Sequence, residues 1–179
     1  MHSSTLSILY SSSLPQKLQL AHRLFADYGT RLLSSETLRN HLKVLDCLQD
    51  EVRRCMAESE MPAFCHACAR ASITGGCCSH AMTDENDTVL LLLNLLAGEF
   101  VTLQRNDGAE CLFLGEAGCS LRFKPYFCLN YLCRQLRRSL PQSMLLRLSH
   151  ATGLLLQEQY AAEQFLLRLL DRLLAEAAA

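Results

Sequence analysis

The chain has 179 residues, half of them apolar, and its 17 Lys and Arg against 18 Asp and Glu leave a net charge of -1. That is enough apolar material for one domain over 1–179 with its own core, and too balanced a charge to draw the chain to nucleic acid or a lipid surface. The longest unbroken apolar run, Val89 to Leu93, is far short of the ~20 residues of a membrane span. A soluble protein is expected, with no membrane contact and no nucleic-acid partner.

Met1 to Ser13 has no Lys or Arg, and its mixed stretch Thr5 to Tyr10 is broken by Ser7. It lacks the basic start and continuous apolar core of a secretory signal, so a cytoplasmic location with reduced cysteines is expected. Pro15 predicts the start of a helix with Leu14, Leu18, Ala21, Phe25 and Tyr28 inward and Gly29 as its stop. A second helix follows a cap at Ser34 or Ser35, with Leu38, Leu42, Leu45, Leu48, Val52 and Cys55 at steps of three or four before Pro62. Cys55 lies on that stripe and Cys47 beside it, so both read as packing residues.

Thr83, Asp84, Glu85 and Asp87 supply a cap and acidic first turn for a short buried helix, Thr88 to Ala97, which Gly98 ends. Phe100 to Gln104 and Cys111 to Leu114 flank Arg105-Asn106-Asp107-Gly108, which predicts a hairpin carrying Cys111. Ser143 to Ala175 reads as helix, with Gly153 a candidate interruption. There Leu166, Leu167, Leu169, Leu170, Leu173 and Leu174, with Phe165, cover more than one stripe. A second burying surface is therefore expected, from an unknown protein partner or from another copy in a homo-oligomer. The fold expected is mainly α: a helical domain with a small β-hairpin and cysteine-rich metal-binding loops. A cysteine core at about 62–135 would lie between N-terminal helices and a C-terminal helix.

Eight of the ten cysteines form two groups: Cys65, Cys68, Cys77 and Cys78, then Cys111, Cys119, Cys128 and Cys133. A C-x-x-C step lets two sulfurs of one turn reach a single ion at about 2.3 Å, and thiolates from a distant segment can complete a tetrahedral site. Adjacent Cys77 and Cys78 seldom bond to each other, which favours metal over a disulfide framework. Four thiolates suit zinc and equally suit an iron-sulfur cluster of the 4Fe-4S type. From Ala117 to Gln157 there is no Asp or Glu, while Arg122, Lys124, Arg134, Arg137, Arg138 and Arg147 are cationic. Cations near thiolates stabilise them, although such a run also suits a solvated helix face. His66 and His80 flank the first group, but eight sulfurs already exceed one four-coordinate site, so both are expected outside the ligand set.

The order of these motifs, C-x-x-C, a C-C pair, a cysteine followed by L-F-L, then G-C-S and a basic-Pro step before another cysteine, resembles the YkgJ-like cysteine-cluster family. That family is described as a zinc- or iron-chelating domain. The matching positions are Cys65, Cys68, Cys77, Cys78, Cys111, Phe113, Leu114, Gly118, Cys119, Ser120, Pro125 and Cys128. The basic-Pro step is Lys124-Pro125 here, where the family has Arg-Pro, so a point charge stands in place of a planar guanidinium. The resemblance implies a metal-binding role. It also points to a larger relative, the flagellin lysine-N-methylase, whose similar cysteine-rich domain is thought to hold an iron-sulfur cluster. Two readings follow. In one the chain is a binding module for metal handling or for support of a partner. In the other it is an iron-sulfur enzyme or redox protein. No glycine-rich cofactor loop, catalytic triad or phosphate loop is discernible, which favours the module.

Overall fold

A computed structural model describes residues 10, 12–65, 78–106, 108–115, 118–130 and 132–177. Cys68, Cys77, His66 and most of the N-terminal stretch lie outside the described residues. In chain order the elements are α1 (Leu14–Ser34), α2 (Glu36–Glu58), α3 (Thr88–Leu96), β1 (Leu114–Gly115), β2 (Gly118–Cys119), α4 (Tyr126–Asn130), α5 (Arg134–Ser139) and α6 (Gln142–Ala177). A helical turn at 61–65 and a 3-10 turn at His80–Thr83 join α2 to α3. The fold is mainly α with one small antiparallel hairpin.

Ser13 opens α1: its backbone N–H donates to Gln16 Oε1 at 3.0 Å, and Pro15 sits in the first turn. The helix does not stop at Gly29. A glycine inside a helix costs about 1 kcal/mol, and burial of Leu24 and Leu32 on either side outweighs it. Gly29 is itself buried, and a Cβ there would stand 3.1 Å from the Phe25 ring. The inward face therefore runs through Leu14, Ala21, Leu24 and Leu32, leaving Phe25 and Tyr28 only partly buried. What ends α1 is Ser35, which caps α2 by accepting from Leu38 N at 3.4 Å. Arg39 then reaches back to cover the carbonyls of Leu33 and Ser34, at 2.6 and 2.9 Å.

In α2 the predicted stripe is inward: Leu38, Leu45, Val52 and Cys55 are buried, whereas Cys47 is exposed. All nine residues of α3 are buried, and its cap is Asp87, whose carboxylate accepts from Leu90 N at 2.8 Å, rather than Thr83. The long helix α6 packs chiefly along α2, and α1 chiefly along α3. One continuous cluster of buried side chains runs from Leu14 to Leu173.

Gly153 does not interrupt α6. It lies on an exposed face with no atom within 4 Å of a would-be Cβ, so its only penalty is the intrinsic one. Farther along, Leu166, Leu170 and Leu173 are buried, and Phe165, Leu167 and Leu169 pack partly buried against the same core. The leucine breadth of α6 is thus taken up largely within one chain. The exposed apolar side chains of α6 are instead Leu146, Leu154 and Tyr160. No helix among the described residues is long and apolar enough to cross a membrane.

The hairpin also differs from expectation. Phe100 to Gln104 is not a strand; one backbone bond, Gln104 N to Leu112 O at 2.8 Å, ties it to the 111–114 segment. The two strands that do pair are β1 and β2, with Leu114 opposite Cys119 and Gly115 opposite Gly118. Gly118 has φ of 107°, a region closed to residues with a Cβ, which allows the chain to reverse where no Asn-Gly signal exists.

Candidate metal centre

Between α3 and α6 the chain has little regular structure, so its backbone polar groups need other partners. Buried side chains of the helical frame supply them. Asn94 interrupts the apolar run of α3 and is fully buried. Its Oδ1 accepts from Arg122 N at 2.9 Å and Phe123 N at 3.0 Å, while its Nδ2 donates to Phe123 O at 3.0 Å and Leu90 O at 2.9 Å. The carboxamide thus pairs with the 122–123 backbone as a neighbouring strand would. Buried Thr83 accepts from Leu112 N at 3.1 Å, and Gln159 on α6 donates to Lys124 O at 3.3 Å. Phe113 and Phe123, both fully buried, anchor the same stretch from the apolar side.

Within this frame the two cysteine groups meet through the backbone. Cys111 N donates to Cys78 O at 2.8 Å, and His80 N donates to Ala109 O at 3.1 Å, with Ser79 bridged antiparallel to Glu110. Leu114 N in turn donates to Cys111 O at 2.9 Å, and Leu114 pairs with Cys119 across the hairpin. Cys78, Cys111 and Cys119 are therefore carried on adjoining strands of backbone. Cys111 is buried in the core, and Cys78 packs partly buried against it.

The remaining described donors are more dispersed. Cys65 closes the helical turn 61–65 and is partly buried against the core cluster. Cys128 is exposed on α4, one turn after Pro125, whose carbonyl accepts from Cys128 N at 3.0 Å. Cys133 caps α5, its sulfur accepting from Leu136 N at 3.5 Å. Among the described residues no three Cys, His, Asp or Glu side chains already stand at metal-holding separations. His80 is exposed.

The surroundings of Cys119 set its reactivity. The residue is exposed, yet the protein crowded around its sulfur pushes the thiol pKa up. Lys124 and the Leu121 N–H pull it down, and the neighbouring Cys111 pushes it up again. Lys124, from the basic run, thus acts on the thiol of Cys119, and Arg147 acts on that of Cys55. Arg122 is committed elsewhere, to Asp46 on α2, with Asp50 and Glu99 at 3.8 and 3.7 Å. Arg147 pairs with Glu58 at 2.9 Å. These two arginines clamp α2 to the cysteine segment and to α6, while Arg134, Arg137 and Arg138 face solvent.

Of the residues that position this region, Thr83 reads in the sequence as a helix cap, and Asn94 and Gln159 belong to no motif. Asn94 carried a signal nonetheless, as a lone carboxamide inside an apolar helical run. Such a residue must find partners when buried. Comparison of the chain with family models, with curated proteins and with solved structures finds no match.

Proposed function

We propose that the chain holds a metal centre, zinc or an iron-sulfur cluster, with thiolates drawn from both cysteine groups. It would be a binding module for metal handling or for support of a protein partner in the cytoplasm. The donor pool is Cys65, Cys68, Cys77, Cys78, Cys111, Cys119, Cys128 and Cys133, and the YkgJ-like resemblance belongs to the same proposal. The observation that carries it is the bond from Cys111 N to Cys78 O, which joins the two groups although 33 positions separate them. The chemistry of the donors fits: soft sulfurs, with an N–H directed at the sulfur of Cys133. Zinc would cross-link the two segments; an iron-sulfur cluster would add one-electron chemistry.

The test is metal analysis of anaerobically purified protein together with Cys119→Ser. Loss of metal with a fall in thermal stability is expected, because binding energy at such a site is also folding energy. Unchanged metal and unchanged stability would overturn the two-segment centre. Broad absorption near ~400 nm would identify iron-sulfur, and colourless protein with stoichiometric zinc the other metal. The iron-sulfur enzyme or redox reading is the second one, and it draws support from a cleft lined by the three residues that precede Cys128.

A further inference from the structure

A cleft of about 340 Å³ opens where the start of α3, the entry to α4 and the middle of α6 converge. Its lining is acidic: Glu85, Asp87 and Glu163 all contribute, and the charge of Asp87 acts on the Glu163 carboxyl. Among the described residues none of the three forms an ion pair, and the cation nearest Asp87, Lys17, is buried and donates to Asp84 O at 3.0 Å. The walls are aromatic. Tyr126, Phe127 and Tyr160 are each more than half exposed, and Tyr126 and Phe127 meet edge to face at 5.6 Å.

Two further observations point to a missing occupant. Gln159 lines the cleft and is 5% exposed, yet among the described residues its Oε1 has no hydrogen-bond partner, while its Nε2 is used by Lys124 O and Glu163. A buried acceptor without a donor costs about 1–3 kcal/mol, which a donor in the cleft would recover once the Gln159 side chain turns toward it. Crowding by the protein and the charge of Asp87 hold the Glu163 carboxyl up to about 7, so the pair is strained electrostatically at neutral pH.

We propose that this cleft binds an organic monocation, an ammonium or guanidinium head on a short apolar stem. The head would lie between Asp87 and Glu163, with Gln159 Oε1, which has no accessible surface as the side chain now stands, turning to accept from it, and the stem would run along Tyr126, Phe127 and Tyr160. Aromatic faces attract such cations, and partial desolvation strengthens the attraction. A bare divalent ion suits the walls poorly, and among the described residues no three carboxylates stand close enough to hold one.

Calorimetric titration of the full chain at pH 8 with n-butylammonium tests this, using 1-butanol and butyrate as neutral and anionic controls of the same shape. Saturable binding of n-butylammonium alone is expected. Glu163→Gln, which keeps an amide beside Gln159, and Asp87→Asn, which keeps a helix-capping side chain, should each weaken it by about 5-fold or more. Tyr160→Ala, at an exposed position, should weaken it without unfolding the chain. Equal response to 1-butanol, affinity unmoved by all three substitutions, or displacement of n-butylammonium by Mg²⁺ or Ca²⁺ at the same site would each overturn the proposal.

Discussion

The helical frame and the cysteine-bearing segment are built on different principles. In α1, α2, α3 and α6 the backbone satisfies itself, and side chains are free to be apolar: Leu45, Leu92, Leu155 and Leu166 are fully buried. The segment from Cys111 to Cys133 has two short strands and one short helix, so its backbone is completed by side chains from outside it. The frame is held by burial, which is non-directional and tolerant. The segment is held by a few directional bonds, which fix its conformation tightly but depend on single residues.

The sharpest way to break that contrast is Asn94→Leu. It keeps the helix former and nearly the volume, but it strips partners from the N–H groups of Arg122 and Phe123 and from the Phe123 carbonyl. At about 1–3 kcal/mol for each of these three groups, a loss of about 3–9 kcal/mol is expected in chemical denaturation. Leu166→Ala, at a fully buried frame position, should cost about 2–5 kcal/mol. The comparison is sharpened by where the damage appears: cysteine-segment resonances should shift in the Asn94 variant and remain in place in the Leu166 variant.

A smaller effect is pH-dependent. Burial, and then the charge of Asp87, raise the Glu163 pKa from 4.5 to about 7. Asp87 is raised too, chiefly by burial, so both groups act in the same direction. The folded chain binds the proton more tightly than the unfolded one, so this contribution to stability is full below about pH 4.5 and is lost as pH rises through 7. At about 1.4 kcal/mol per unit, the loss is at most about 3 kcal/mol. Denaturation midpoints measured from pH 5 to 8 should fall, and Glu163→Gln should flatten the slope. Smallest is Asp46→Asn, which removes one partner of Arg122 but leaves Asp50 and Glu99 near it. Less than about 1 kcal/mol is expected, since Asp46 is largely exposed, and high salt should remove the difference.

Much of the frame was legible because apolar residues at steps of three and four encode a buried helical face. Gly29 and Gly153 misled for one reason: helix propensity is a local preference of about 1 kcal/mol, and long packed helices override it. The hairpin was misplaced because Asn106-Asp107-Gly108 signals a turn without choosing what pairs beyond it, and Gly118 permits the reversal that forms strands. The clustering of cysteines was plain in the chain. The bond from Cys111 to Cys78 was not, since no local pattern specifies a partner 33 positions away. The cleft was hidden for the same reason: Asp87, Tyr126 and Glu163 come from three separate elements.

The strand-like carboxamide of Asn94 has a consequence for kinetics as well as for shape. Residues in an irregular stretch normally trade their amide protons with solvent within seconds, through small openings that cost little. Arg122 N–H and Phe123 N–H are bound to a side chain in the middle of a fully buried helix. Release of either proton requires α3 to separate from the segment it templates. In deuterated water these two sites should therefore retain their protons about as long as the interior of α3, and a map of slow exchange would draw the boundary of the cooperative unit through the cysteine segment rather than around it.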